Sequence, residues 1–327
     1  MGLLDLFKPK WKHSQPEVRF KAVQELTDQD VLAKIANKDA DSEVRLAAAK
    51  KVDDDKLVSD IARNAEDWEV RYAVVGIIED KKLRAEIAQK DTEDNVRLQA
   101  VKKIEDTKLL EEIAQKDIGT YTRQAAVKKI CNQKLLAEIA KNDSANAVSE
   151  VAVKNVQDQV FIAEIAKYSK NYWNTRNLAV KKLEDQTVLA RIAQKDVENK
   201  VRITAVMKIN DLKLTEEIAQ NDVDPMIRMA AVRKVEDPLL FAQIAKMDKN
   251  PDVRLTALEK VEDQKLLEKA AKNDEDFYVR KTAVEKIDDQ ALLERIARKD
   301  QVMMVRRAAE NRREYLSNSG KNNKQDK

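Results

Sequence analysis

Apolar residues along this chain fall into two short helical sets that alternate over almost its whole length. Between Val96 and Asp117, the residues Val96, Ala100, Val101 and Ile104 recur at the spacing of one helix face. After Asp106 a second set follows, made of Leu109, Leu110, Ile113 and Ala114. The pattern predicts two helices of roughly ten residues each, too short to be stable without neighbours. The same unit returns every 26 residues, marked by an arginine at Arg19, Arg45, Arg71, Arg97 and Arg123. Ser149 interrupts the series, which resumes one residue late at Arg176 and runs through Arg202, Arg228, Arg254, Arg280 and Arg306. A fixed period of this length signals stacked units in place of one closed core. The expected fold is therefore all-α, an α-solenoid of about twelve two-helix repeats over residues 14–316.

Turn chemistry sets the helix boundaries. Asp28, Asp54, Asp80, Asp106, Asp158, Asp185, Asp211, Asp237, Asp263 and Asp289 share one position in the unit, where a carboxylate can accept the free N–H groups of a helix start. Pro238 follows Asp237, Pro225 follows Asp224 and Pro251 follows Asn250, as a proline at the first helical position should. An alanine stands three positions after almost every arginine, with Val74 as the exception. A small side chain kept at one place predicts close helix approach.

The arginine falls inside the apolar arc of its own helix, so it needs a partner. An aspartate six residues upstream recurs at Asp39, Asp91, Asp117, Asp143, Asp196, Asp222, Asp248, Asp274 and Asp300. The expectation is an Asp–Arg ladder running from unit to unit. On this reading Ser149 leaves Asp143 without its partner, and Ser169 leaves Arg176 without its own. The stretch Asp91, Val96-Arg97, Ala100-Val101, Ile104 resembles the most recognisable part of the HEAT repeat. That resemblance covers about residues 14–313 and implies a HEAT-like superhelix with the Val-Arg helices on its inner, concave face.

Composition narrows the chemistry. There are 62 basic and 59 acidic residues, a net charge of +3, which by itself calls for no polyanionic partner. With one cysteine, Cys131, no internal disulfide can form; an ordinary buried or half-buried thiol is expected. The lone histidine, His13, precedes the repeats, so triads and zinc sites that need His or Cys in company are not expected. Four glycines cannot build much of a phosphate-cradling loop. The reading is of a chain that is not an enzyme and takes no cofactor or metal. A HEAT-type lyase or DNA glycosylase is the weaker catalytic alternative, and no residue here matches either. No apolar run reaches the ~20 residues of a membrane span, and the N-terminus lacks a signal-peptide pattern, so a cytoplasmic, monomeric protein is expected.

Two surfaces stand out. Lys50-Lys51, Lys102-Lys103, Lys128-Lys129, Lys181-Lys182 and Arg233-Lys234 occupy matched positions on the Val-Arg helices, extended by Lys154, Lys208, Lys260 and Lys286. This row is read as lining the groove, where it would attract a protein or acidic peptide, or in the alternative track a nucleic-acid backbone. The centre of the array breaks its own rules: one extra residue enters between Lys167 and Thr175, and Tyr168, Tyr172 and Trp173 crowd there. These aromatics are either partner-binding residues, a packing repair or a hinge. Residues 1–13 read as an amphipathic capping segment, with membrane-surface contact through residues 3–11 as an alternative. Glu310 and Arg313 replace apolar residues of other units to make a polar cap, and residues 317–327 read as a disordered tail.

Overall fold

The computed structural model of the chain describes residues 8–168 and 172–322, and among them all regular structure is helical: 23 α-helices and one 3-10 turn, Lys10–Lys12. Residues 1–7, 169–171 and 323–327 and the side chains of Tyr168 and of residues 319–322 lie outside that description, as does most of the segment read as a membrane-surface contact. The helices fall into two compact units, residues 1–175 and 176–327. In the first, the Val-Arg helices are α1 (Pro16–Glu25), α3 (Ser42–Ala49), α5 (Trp68–Val75), α7 (Asp94–Val101), α9 (Thr120–Val127) and α11 (Asn146–Asn155). In the second they are α15 (Asn199–Lys208), α17 (Pro225–Lys234), α19 (Pro251–Leu258), α21 (Phe277–Val284) and α23 (Met303–Asn322). The boundary falls within α13 (Trp173–Lys182).

Each Val-Arg helix except the last is followed by a second helix, such as α2 (Gln29–Lys38), α8 (Thr107–Lys116) or α10 (Gln133–Asn142). The array is therefore eleven helix pairs closed by the single helix α23, in place of a twelfth pair. That last helix runs through residues 317–322, which the sequence suggested were a disordered tail. Nothing between Met303 and Asn322 stops it, since no proline occurs there, and Ser317 Oγ returns a hydrogen bond to Arg313 O at 2.8 Å. Glu310 is exposed and Arg313 half-buried, as the polar end face requires.

The boundaries follow the caps. All ten aspartates at the shared position accept backbone N–H groups of the helix that follows; Asp106 Oδ1, for example, takes Lys108 N at 2.9 Å and Leu109 N at 3.2 Å. Core formation uses the apolar face of both helices. Val96, Ala100 and Val101 of α7 are fully enclosed, as are Leu110 and Ala114 of α8 to within 2%. Every ladder alanine from Ala48 onward is fully buried, whereas Ala22 in the first unit is half-buried because no repeat packs against it from the other side. Within each unit the Val-Arg helices pack on one another in series, because alanine at the contact lets backbones approach. The second helices touch each other sparsely, apart from α2 with α4 (Asp55–Asn64) and α10 with α12 (Gln159–Tyr168).

The arginines form the ladder, but with the opposite pairing to that suggested by sequence proximity. A typical guanidinium reaches forward twenty residues to the aspartate of the next turn and backward to the carbonyls of its own turn. Arg97 Nε and Nη2 donate to Asp117 Oδ2 and Oδ1 at 2.9 and 3.1 Å, and Nη1 donates to Asp91 O and Thr92 O at 2.8 and 3.2 Å. Asp117 Oδ1 also accepts Gly119 N at 2.7 Å, which shapes the turn. The same fork joins Arg71 to Asp91, Arg123 to Asp143, Arg176 to Asp196, Arg228 to Asp248, Arg254 to Asp274 and Arg280 to Asp300. Asp143 and Arg176 are therefore both paired, contrary to expectation. The carboxylates and neighbouring burial act in opposition on these arginines; for Arg123 the Asp143 hydrogen bond dominates and raises the guanidinium further above its usual range. Where Ala65 stands in the aspartate's place, Asp67 takes the role two residues on and receives Arg45 Nη2 at 2.6 Å.

Candidate functional site

The outward side of the Val-Arg helices carries the lysine row, and the structure divides it in two. The first residue of each pair, Lys50, Lys102, Lys128, Lys181 or Arg233, is exposed. The second usually turns back to the preceding unit and caps the C-terminus of its Val-Arg helix. Lys129 Nζ donates to Lys102 O at 3.0 Å and to Ile104 O; Lys234 Nζ donates to Val206 O at 3.1 Å, to Met207 O and to Ile209 O. Lys51, Lys208, Lys260 and Lys286 repeat the contact. A cation there satisfies carbonyls that the helix end leaves free. Burial pushes the Lys182, Lys208, Lys234 and Lys286 ammoniums below the ordinary lysine range. Lys103 is exposed; the carbonyl it would reach, Ile78 O, is taken by Arg84. At position 155 the row has asparagine, and Asn155 Nδ2 makes the same contact to Val127 O at 3.0 Å. Of the eight basic residues read as partner-binding, Lys129 and Lys234 are thus engaged within the fold, while Lys102, Lys103, Lys128, Lys181 and Arg233 are open to solvent and Lys182 is half-buried.

The irregular centre is joined by the same logic. Ser149 holds the arginine position, and the partner of an arginine there would stand twenty residues on, at Ser169, so both members of one rung are absent from the sequence together. Ser149 is buried, its hydroxyl oxygen without a hydrogen-bond partner. Tyr172 supplies part of the lost rung: its hydroxyl donates to Ser144 O at 2.6 Å, one of the two carbonyls a guanidinium at position 149 would have reached. Trp173 begins α13 and is 38% exposed. Tyr168 closes α12, with its side chain outside the described residues. Cys131 is exposed, not buried, because it lies in the turn after Ile130.

A row that the sequence reading passed over lies one residue after each arginine. It reads Phe20, Leu46, Tyr72, Leu98, then Gln124, Glu150 and Asn177, then Ile203, Met229 and Leu255, and ends on the charged Lys281 and Arg307. These side chains are half-buried or exposed, with Phe20 and Tyr72 at 38% and 39%. A single helical wheel hides them, since they sit at the edge of the apolar arc; aligning the units by their arginines brings them out. On α3, α5 and α7 the row opens into a cavity of about 620 Å³ lined by Leu46, Lys50, Trp68, Glu69, Tyr72, Ala73, Asn95 and Gln99. Trp68 meets Tyr72 edge-on at 6.5 Å. Gly76 lies close by, and a Cβ there would come within 3.1 Å of Gln99 Nε2, so a larger residue would shift that side chain. Among the described residues no group of three or more His, Cys, Asp or Glu is placed to hold a metal, and no helix is long and apolar enough to cross a membrane.

No family model matches the chain, and no curated protein matches it in sequence. Among solved structures it is similar to YibA of Escherichia coli, at 16% identity over 86% of this chain and 99% of that one, with a TM-score of 0.30. It is also similar to importin beta, at 13% identity over 95% of this chain and 56% of that one, with a TM-score of 0.37. A designed armadillo repeat protein matches at 15% identity over 88% of this chain and all of the other, with a TM-score of 0.11. These likenesses concern repeat architecture and carry nothing about what the chain binds.

Proposed function

We propose that the chain is a non-catalytic, HEAT-like scaffold or adaptor of the cytoplasm that binds protein along the outward side of its Val-Arg helices. The observation that supports this reading most is the row Phe20, Leu46, Tyr72 and Leu98 with Trp68 beside it, an apolar strip left half-buried or exposed among the described residues of the first unit. Aromatic side chains in an open groove are what protein interfaces favour, and carboxylates beside them disfavour a phosphate backbone. The alternative, a nucleic-acid-binding solenoid, is weakened by the lysines that cap helix ends, because those ammoniums already serve carbonyls. A photo-crosslinking residue at Tyr72, compared with one at exposed Lys108 on α8, tests the reading in cells. Protein adducts enriched at position 72 support it. Adducts to nucleic acid alone, or adducts equal at both positions, overturn it.

A further inference from the structure

The first unit's apolar strip is bordered by charge of opposite sign on its two sides. On the N-terminal side of the helices stand Glu17, Glu43 and Glu69, with Asn95 in the fourth place; on the C-terminal side Lys50 and Lys102 alternate with Gln24 and Gly76, and Lys128 follows on α9. All six charged side chains are exposed, and none is held in an ion pair among the described residues. The order is specific to this unit. In the second unit the matching positions read Lys200, Met226, Asp252 and Tyr278 on one side and Met207, Arg233, Glu259 and Glu285 on the other, with no constant sign.

From this we infer that the strip on α1, α3, α5 and α7 receives an amphipathic α-helix with an apolar seam, one basic flank and one acidic flank. The inference rests on the protein-binding reading and names the partner's chemistry. Two arguments select a helix. Packed helices are spaced about 8–10 Å apart, so the strip's apolar groups recur at that interval; a helix returns to the same face every seven residues, a rise of about 10.5 Å. An extended chain places same-side residues about 6.8 Å apart and falls out of step. Four rows then accommodate about 20 residues of helix. Charge selects the flanks: basic side chains face Glu17, Glu43 and Glu69, and acidic ones face Lys50 and Lys102, with Lys128 beyond them at the α9 end. Since turning the partner end for end exchanges its flanks, the two charge rows also fix its direction.

The test uses the full chain and three labelled peptides of one length, each with leucine at heptad spacing. One has a lysine flank and a glutamate flank, one has both flanks lysine, and one both flanks glutamate. The expected result is that the two-signed peptide binds at least tenfold more tightly than either other. Tyr72→Ala should weaken it at least tenfold at unchanged helicity and melting temperature. The E43K/E69K chain, whose strip then has basic borders on both sides, should transfer its preference to the all-glutamate peptide. An unchanged preference in that variant, or equal binding of all three peptides, overturns the inference. If no peptide binds while position 72 still crosslinks to protein in cells, the helix is refuted and the scaffold reading survives; if the crosslinks fail as well, both are refuted.

Discussion

Replacing Arg97 by alanine probes the ladder at one of its two most enclosed rungs. Its side chain is 4% exposed and that of its partner Asp117 is 5% exposed. The guanidinium donates twice to Asp117, once each to Asp91 O and Thr92 O, and at 3.4 Å to Asp94 Oδ1. Its removal leaves Asp117 ionised, buried and holding only the Gly119 N–H. Stranding one member of a buried pair costs about 3–5 kcal/mol. Arg45 offers an internal scale, because its side chain and that of Asp67 are 21% and 17% exposed and it uses a single carboxylate oxygen. Arg45→Ala should cost about 1–2 kcal/mol, since water can replace part of what is lost. Repeat arrays open unit by unit, so the measurement is hydrogen exchange resolved along the chain, supported by urea unfolding. Protection should fall most in the turns at 91–97 and 117–123. The doubly apolar variant, Arg97→Met with Asp117→Leu, should recover much of the loss because no charge is left stranded. A cost below about 1 kcal/mol at Arg97, or equal costs at Arg97 and Arg45, would refute the reasoning.

Three further outcomes follow from other contacts. Lys234→Met uncaps three carbonyls at the end of α15 and should lower stability by about 1.5–3 kcal/mol, while Arg233→Gln next to it should leave urea unfolding unchanged; equal effects would contradict the division of the lysine row. Tyr172→Phe removes the hydroxyl from Ser144 O and should cost about 0.5–1.5 kcal/mol, read as faster exchange around residues 144–149; an unaffected segment would show that the tyrosine does not replace the rung. In acid, Asp67 is the group to follow: burial pushes its carboxyl up, but the Arg45 hydrogen bond and the Glu69 N–H outweigh that and hold it below the ordinary 3.8. Its folded value is thus lower than its unfolded one, so its contribution is complete above 3.8 and is lost as pH falls through the folded value. Asp67→Asn should flatten the acid limb of a stability-against-pH curve, and an identical limb would count against the pairing.

Much of this fold was legible because each signal was repeated. One Asp at a helix start means little, but ten at one register fix where ten of the eleven second helices begin, and Asn132 does the same for α10. One arginine among apolar neighbours is ambiguous, whereas a periodic one must have periodic partners. The partner's direction was not legible, because sequence proximity favours the aspartate six residues back and only the stacking shows that one twenty residues ahead is nearer in space. The lysine row misled for a related reason. A helical wheel places Lys51 and Lys129 outside, but it does not contain the neighbouring helix end toward which they bend. Phe20, Leu46, Tyr72 and Leu98 were hidden within single units and visible only across them. The twelfth unit lacked a second helix because no apolar set follows Arg306, and that absence was in the sequence.

The contrast between ladder and surface explains why the chain uses buried charge at all. Apolar units of nearly equal shape could stack in more than one register, since one Val-Ala-Val face resembles the next. A guanidinium at the joint removes that freedom: out of register it would lie buried without Asp117 or the Asp91 and Thr92 carbonyls. Each rung thereby ties its own turn to the next one, and the units align by charge while they adhere by apolar area. The exceptions obey the same rule. At position 65 the aspartate is lost, and Asp67 takes its arginine. At 149 and 169 both charges are lost together, and Tyr172 satisfies a carbonyl that remains. With register secured inside the joint, the outward positions next to each arginine take no part in the ladder, so they can differ from unit to unit. That freedom allows the first unit to present apolar residues between a carboxylate row and a lysine row, and the second to present Ile203, Met229 and Leu255 between mixed charges. A frame that specifies its own assembly from within leaves its outer face available for selecting a partner.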